Sequence, residues 1–150
     1  MTMVDKPPIP PAPADFPESY QHTRSGRPYY YDRDGVGISM WEWSCLFENY
    51  DYKVVRKTRV AGVEVSTVWL GIDHNFLMEG PPLIFETMIF EAEPSETEIF
   101  GRKAMVHEEA LDFQERYATE EEALRRHAEV VEFLTLRKDA ESGPPEVGDH

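Results

Sequence analysis

The sequence lacks several features that mark common classes of protein. It has one cysteine, Cys45, which excludes an intrachain disulfide and a cysteine-based zinc cluster and is typical of a reducing compartment. Charged residues interrupt every apolar stretch, so we expect no membrane-spanning segment, and residues 1–13 contain no apolar run of signal-peptide length. No GxGxxG, P-loop or GxSxG motif occurs, so the sequence predicts no catalytic residues, no cofactor-binding residues and no cofactor.

Positive charge is also scarce. The chain has 15 Lys and Arg residues against 29 Asp and Glu residues, a net charge of −14. This charge disfavours direct binding to the phosphates of nucleic acid. The acids are concentrated in residues 91–150, which carry 7 basic and 17 acidic residues. The main local exception is a basic stretch that consists of Lys53, Arg56, Lys57 and Arg59.

The distribution of proline divides the chain into three parts. Most of the 12 prolines lie in residues 1–28, which we interpret as a Pro-rich flexible arm. Two roles are open for this arm: a flexible leader, or a docking ligand whose Pro7–Pro10 stretch matches the PxxP pattern. Residues 29–137 are predicted to form a single α+β domain, and residues 138–150 an acidic flexible tail.

Two segments carry the start signals of helices. Ser39 and Glu42 have the spacing of a capping box, which predicts a helix over residues 40–49. Thr119 and Glu122 repeat that spacing and predict a second helix to about residue 136. Both helices are amphipathic. The apolar face of the second helix consists of Ala123, Leu124, His127, Val130, Val131 and Leu134.

Alternating and β-branched residues predict the strands. Residues 53–71 indicate a hairpin that turns at Ala61-Gly62, and residues 29–31, 83–90 and 112–118 indicate three more strands. Between residues 91 and 112 the alternatives are a short helix over 104–111 or an excursion of the sheet.

The connections predict how these elements assemble. Short links between successive strands favour an antiparallel sheet of about four to five strands in the order β-α-β-β-β-β-α. The two helices should cover one face of this sheet, with Trp43 and Val130 buried against the same side. The predicted fold class is α+β.

The best candidate site combines Asp73 and His74, after the longest strand, with Glu86 and His127. Aspartate, glutamate and histidine are ligands of hard and borderline metals, and the Asp73-His74 pair has the composition of a general base with its orienting carboxylate. A structural interpretation is favoured over both. In it, Asp73 caps its own turn, and His127 is a neutral core histidine hydrogen-bonded to Glu86.

One block of the sequence resembles a known group of proteins. The block is VSTVWLGIDH at residues 65–74, followed by GPPLIFETM at residues 80–88. It resembles small uncharacterised proteins of actinobacteria and of the phages that infect them, and the resemblance covers most of residues 29–131. It implies a cytoplasmic bacterial or phage-linked accessory protein, in the host cytoplasm if phage-encoded. It implies no activity, because none is assigned to the group.

Three functions follow as hypotheses. The leading one is a small protein that acts by protein–protein binding, without catalysis, nucleic acid or membrane; its partner and oligomeric state are not specified by the sequence. The second is a metal-dependent or acid–base enzyme that uses Asp73, His74, Glu86 and His127. The third is an acidic decoy that mimics nucleic-acid phosphate for proteins that bind it.

Overall fold

The computed structural model of the chain describes residues 5–16, 26–75, 79–91, 98–99, 102–103 and 110–142. In chain order the elements are β1 (Tyr30–Tyr31), β2 (Gly37–Ile38), α1 (Met40–Glu48), α2 (Tyr50–Lys53), β3 (Val54–Val60), β4 (Val63–Trp69), β5 (Phe85–Glu91), β6 (Glu98–Ile99), β7 (Arg102–Lys103), β8 (Ala110–Tyr117) and α3 (Glu120–Ser142).

The main sheet has four antiparallel strands in the order β3-β4-β5-β8, which confirms the predicted α+β class. The predicted first strand does not belong to it, because β1 pairs with β2 instead. The cause is local. Asp32 Oδ1 accepts hydrogen bonds from the backbone N–H groups of Asp34 and Val36, which turns the chain back on itself directly after β1. A further two-stranded ribbon joins β6 to β7.

The hairpin between β3 and β4 turns where the sequence predicts. Val60 pairs with Val63, and the two residues between them have positive φ, 52° at Ala61 and 77° at Gly62. Two successive residues with positive φ form a turn whose twist matches that of the flanking strands. The prediction of a hairpin here is therefore confirmed.

Side-chain caps begin each of the helices, as predicted for α1 and α3. Ser39 Oγ accepts from the N–H of Glu42 at 3.1 Å, and Thr119 Oγ1 accepts from the N–H of Glu122 at 3.2 Å. The helix predicted over residues 40–49 ends one residue early, since the Asn49 side chain accepts from the N–H of Tyr52 and caps α2. None of the described helices has the length and apolar character needed to cross a membrane.

Further differences from the predicted boundaries lie in the C-terminal part of the chain. Helix α3 continues to Ser142, so residues 138–142 of the predicted tail are helical, and residues 143–150 lie outside the described residues. Residues 110 and 111 belong to β8, which contradicts a helix over 104–111 at its end; residues 104–109 lie outside the described part of the chain.

The helices cover one face of the sheet. Side chains alternate along a strand, so Val65 and Trp69 of β4 share a face. Trp69 packs against Phe47, which stacks on Trp43 of α1 at 4.9 Å between ring centroids. Val65 packs with Val130 of α3. Trp43 and Val130 therefore lie on the same side of the sheet, as predicted.

Replacing Gly71 by alanine is expected to lower the free energy of unfolding by about 2–4 kcal/mol. Its φ is +73°, and a Cβ there would lie 2.5 Å from both Trp43 Cδ1 and Trp69 Cζ2. Gly62→Ala is the matched control, because Gly62 has a φ of +77° with no atom within 4 Å of the added Cβ, and we expect a loss of only about 1 kcal/mol. Urea denaturation measures both losses; equal losses would contradict steric crowding at Gly71.

Candidate functional site

The four predicted ligands do not meet in one place. Asp73 and His74 lie in the loop after β4, Glu86 lies on the sheet face opposite the helices, and His127 lies between α3 and the sheet. In the parts of the chain that the structure describes, no group of three His, Cys, Asp or Glu side chains is positioned to hold a metal ion. The proposed four-residue site is therefore not assembled by this fold.

Asp73 has a structural position. Its Oδ1 accepts from the backbone N–H groups of Asn75 at 2.8 Å and Leu83 at 3.2 Å, which caps the turn as the structural interpretation predicts. Its Oδ2 lies 2.7 Å from Nε of Arg27, and the Asp73 side chain is only 1% exposed. The Arg27 guanidinium also donates from Nη1 to the carbonyl of Gly80. These contacts join the segment before β1 to the loop between β4 and β5, and they leave Asp73 no accessible oxygen for a metal.

His74 follows in the same loop and faces the backbone. Its Nδ1 lies 2.7 Å from the carbonyl oxygen of Ile72, and its N–H donates to the carbonyl of Leu83 at 3.0 Å. Asp73 directs its two carboxylate oxygens to the backbone N–H groups of Asn75 and Leu83 and to Arg27. The pair does not form the base and orienting carboxylate that the sequence suggested as an alternative.

His127 lies at the centre of a buried polar network under α3. Its Nδ1 lies 2.7 Å from Oγ1 of Thr67, and its Nε2 lies 2.8 Å from Oγ1 of Thr58. Thr67 Oγ1 is in turn 2.6 Å from Oγ1 of Thr87. Burial disfavours the imidazolium form, and the charge of Arg56 acts in the same direction, so the pKa of His127 is lowered to about 4. The ring is neutral at pH 7.

The predicted hydrogen bond between His127 and Glu86 is wrong. Thr87 faces α3, so its neighbour Glu86 faces the other side of the sheet. There Glu86 accepts from Nε2 of Gln114 at 2.7 Å and forms an ion pair with Nε of Arg116 at 3.0 Å. Both partners come from β8, which is the neighbouring strand. A cross-strand pair, not histidine, therefore explains the acid in this apolar strand.

A further ion pair lies on the helix-covered face, at the β8 edge of the sheet. Glu115 pairs with Arg126 through two contacts, at 2.6 and 3.0 Å, and this partner lowers the pKa of Glu115. Burial raises the pKa of Tyr117 to about 12. His127 is 1% exposed with both ring nitrogens in contact with threonine. A substrate therefore has no access to the His127 ring, and we interpret its contacts with threonine as structural.

An open site lies elsewhere, where the proline-rich arm meets the domain. The Trp41 indole N–H donates to the carbonyl of Pro10 at 2.7 Å, and the Phe16 ring packs edge-on against Trp41 with centroids 5.1 Å apart. Lys6 Nζ lies 3.1 Å from Oδ2 of Asp32. We call the surface formed by Asp32 and the residues Ser39, Met40, Trp41 and Glu42 the arm groove. Residues 5–16 thus lie against the domain; the boundaries of the arm stay a prediction.

The arm groove has room beyond the contacts it makes. A cleft of about 680 Å³ separates residues 9–14 and Phe16 of the arm from the first turn of α1. Trp43 and Phe47 pack against the core cluster, whereas Trp41 is not among the residues of that cluster and its ring contacts the arm instead. The groove therefore combines an aromatic surface, an indole donor and a carboxylate.

Sequence reasoning identified one half of this site and missed the other. The PxxP pattern left docking open as one of two roles of the arm, but no motif in the sequence singles out Trp41 as its partner. Its position outside the apolar stripe of the capped helix was the signal that separates it from Trp43.

No protein-family model, no curated protein sequence and no solved structure matches this chain. Its function is therefore inferred from its own geometry.

Proposed function

We propose that this protein acts by binding another protein, without catalysis, and that the arm groove receives a proline-rich segment preceded by a basic residue. The observation that carries the proposal is the hydrogen bond from the Trp41 indole N–H to the Pro10 carbonyl. The same segment of the arm also forms an ion pair with the domain, between Lys6 and Asp32. The chain's own arm is thus an example of the ligand. Grooves lined by aromatic residues recognise proline-rich segments in the same way.

The physical basis is the chemistry of proline. A proline ring fixes φ, so an extended proline-rich segment loses little conformational entropy when it binds. Its carbonyl remains an acceptor, and an indole N–H is a donor without acceptor function. In the arm groove these two groups meet at Trp41 and Pro10. Asp32 forms an ion pair with Lys6, the residue that directly precedes the first proline of the arm.

The arm and an external ligand then compete for one surface. While residues 5–16 occupy the arm groove, a partner binds only the fraction of molecules in which the arm has left it. The arm thereby lowers the apparent affinity for the partner. A partner with more or better-placed prolines overcomes this competition.

The other hypotheses have less support. The enzyme needs Asp73, His74, Glu86 and His127 to converge, and they lie at separate places. The acidic decoy needs a continuous strip of free carboxylates, and two carboxylates on or beside α3 are paired with arginines, Glu129 with Arg125 and Glu115 with Arg126.

In accord with the resemblance of residues 65–88, we propose an accessory role in actinobacteria or their phages, in the cytoplasm.

The test uses the full chain with a weakened arm. Lys6→Ala together with Phe16→Ala removes a contact at each end of the arm and leaves the arm groove intact. A synthetic peptide with the sequence of residues 5–16 should bind this variant saturably, and more tightly than it binds the unmodified chain. Isothermal titration measures the affinities, and the indole N–H resonance of Trp41 reports the site.

The control variants separate the arm groove from other exposed aromatic residues. Adding Trp41→Ala to the weakened arm should reduce the affinity about tenfold or more, since aromatic residues at such positions contribute most of the binding energy. Phe133→Ala, which truncates an aromatic ring that is 62% exposed on α3, should leave it unchanged. Equal affinity for a peptide with its prolines replaced by glycine would refute the proposal.

A further inference from the structure

The edge strand β3 combines an unpaired edge with a charge opposite to that of the chain. In the sheet order, β3 pairs with β4 on one side, and no described strand pairs with its other side. Three of its seven residues are exposed and basic, Arg56, Lys57 and Arg59, in a chain with a net charge of −14. A free edge of this length offers backbone N–H and C=O groups to an incoming strand.

The basic side chains occupy both faces of this edge. Thr58 contacts His127 of α3, so Arg56, two residues away, lies on the helix-covered face. Lys57 and Arg59 lie on the opposite face, beside Glu64 of β4 at 3.6 and 3.9 Å. These two contacts are long, and both bases share the single carboxylate of Glu64. The Arg59 side chain is 69% exposed. The edge therefore retains uncompensated positive charge.

We propose that the outer edge of β3 binds an acidic, extended segment of a partner protein, which adds a fifth strand to the sheet. Backbone hydrogen bonds to β3 supply affinity, as in other cases of strand addition. Side chains opposite one another on neighbouring strands interact, so carboxylates at alternate positions of the segment face Lys57 and Arg59. This surface is separate from the arm groove, and the two are tested independently.

Charge selects this occupant over a second copy of the chain. Two β3 strands placed edge to edge bring Lys57 and Arg59 against the same basic side chains of the other copy, and like charges in opposing positions destabilise strand pairing. An acidic strand replaces that repulsion by opposite-charge pairs. Lysine and arginine on an edge strand also oppose pairing with a second copy of the same strand. This agrees with an edge that binds a different, acidic partner.

The experiment uses the full chain, labelled with ¹⁵N, and a capped synthetic peptide of alternating glutamate and valine. Saturable binding is expected, with alternate backbone amides of β3 protected from hydrogen exchange by about tenfold or more. A peptide of the same composition with its glutamates adjacent should bind about tenfold more weakly, because only alternation places the carboxylates on one face. This comparison requires no variant of the protein.

Charge reversal on β3 provides a second, independent test. The double variant Lys57→Glu with Arg59→Glu should bind the acidic peptide about tenfold more weakly or worse. It should also bind a peptide of alternating lysine and valine. Arg125→Glu with Lys138→Glu makes the same change of net charge on exposed positions of α3 and should have no such effect. Any one of three results overturns the proposal: no saturable binding, binding without protection of β3, or preference for a single-stranded DNA oligonucleotide over the acidic peptide.

Discussion

Replacing Asp73 by alanine is expected to lower the free energy of unfolding by about 3–5 kcal/mol, the typical cost of breaking a buried ion pair. The substitution removes the carboxylate that lies 2.7 Å from Nε of Arg27. It also removes the acceptor for the backbone N–H groups of Asn75 and Leu83, which are partly buried and are left without this partner. Asp73→Asn retains a side-chain acceptor and should lose roughly half as much.

Equilibrium denaturation in urea measures these losses. Glu132→Ala is the matched control, because it removes an exposed carboxylate from α3, where alanine is a good helix former, and should stay within about 0.5 kcal/mol of the unmodified chain. A double-mutant cycle of Asp73→Ala with Arg27→Ala should give a coupling energy of about 2 kcal/mol or more. Additive losses would show that the two side chains do not stabilise each other. If Asp73 bound a metal instead, a chelator would reproduce the loss in the unmodified chain.

Acidification from pH 7 to pH 4 is expected to cost about 3 kcal/mol of stability through His127 alone. The pKa of His127 is about 4 in the folded chain, against an ordinary value of 6.5 that applies after unfolding. The unfolded state therefore takes up a proton before the folded state does. The contribution of His127 is fully present above pH 6.5 and is lost as the pH falls through 6.5 towards 4.

Two measurements check this expectation. NMR titration of the ring carbon resonances of His127 gives its pKa in the folded chain, and a value near 6.5 would contradict the burial argument. Denaturation of the unmodified chain and of His127→Gln between pH 7 and pH 4 isolates the contribution of this one side chain. The variant should lose less stability over that range, because glutamine does not titrate while it retains groups able to hydrogen-bond Thr58 and Thr67.

The local elements were largely predictable, because their signals act within a few residues. Ser39 and Thr119 cap helices through the N–H groups three residues ahead, and the turn at Ala61-Gly62 needs only two positive φ angles. The helix predicted over residues 40–49 formed as expected but ends at Glu48. There the Asn49 side chain competes for the backbone and begins α2, a role that asparagine also performs in turns.

The candidate site was less predictable, because its contacts join residues far apart in the chain. His127 was recognised as a core histidine, but its partners Thr58 and Thr67 lie 69 and 60 residues away and depend on the register of β3 and β4. The predicted hydrogen bond between Glu86 and His127 was wrong for the same reason, since Glu86 lies on the other face of the sheet. Alternation along a strand is visible in the sequence, whereas the face that a helix covers is not.

By itself, the sequence determined where the helices and the hairpin begin, that the strands form an antiparallel sheet, and that the arm is a proline-rich extended segment. It could do so because proline, glycine and capping side chains act on their own backbone. Only the tertiary structure decided that Asp73 pairs with Arg27, that His127 and Glu86 lie on opposite faces, and that Trp41 receives Pro10 across 31 positions of the chain. Those outcomes depend on the free energy of burying polar groups with partners, and the choice of partner is made when the layers pack together.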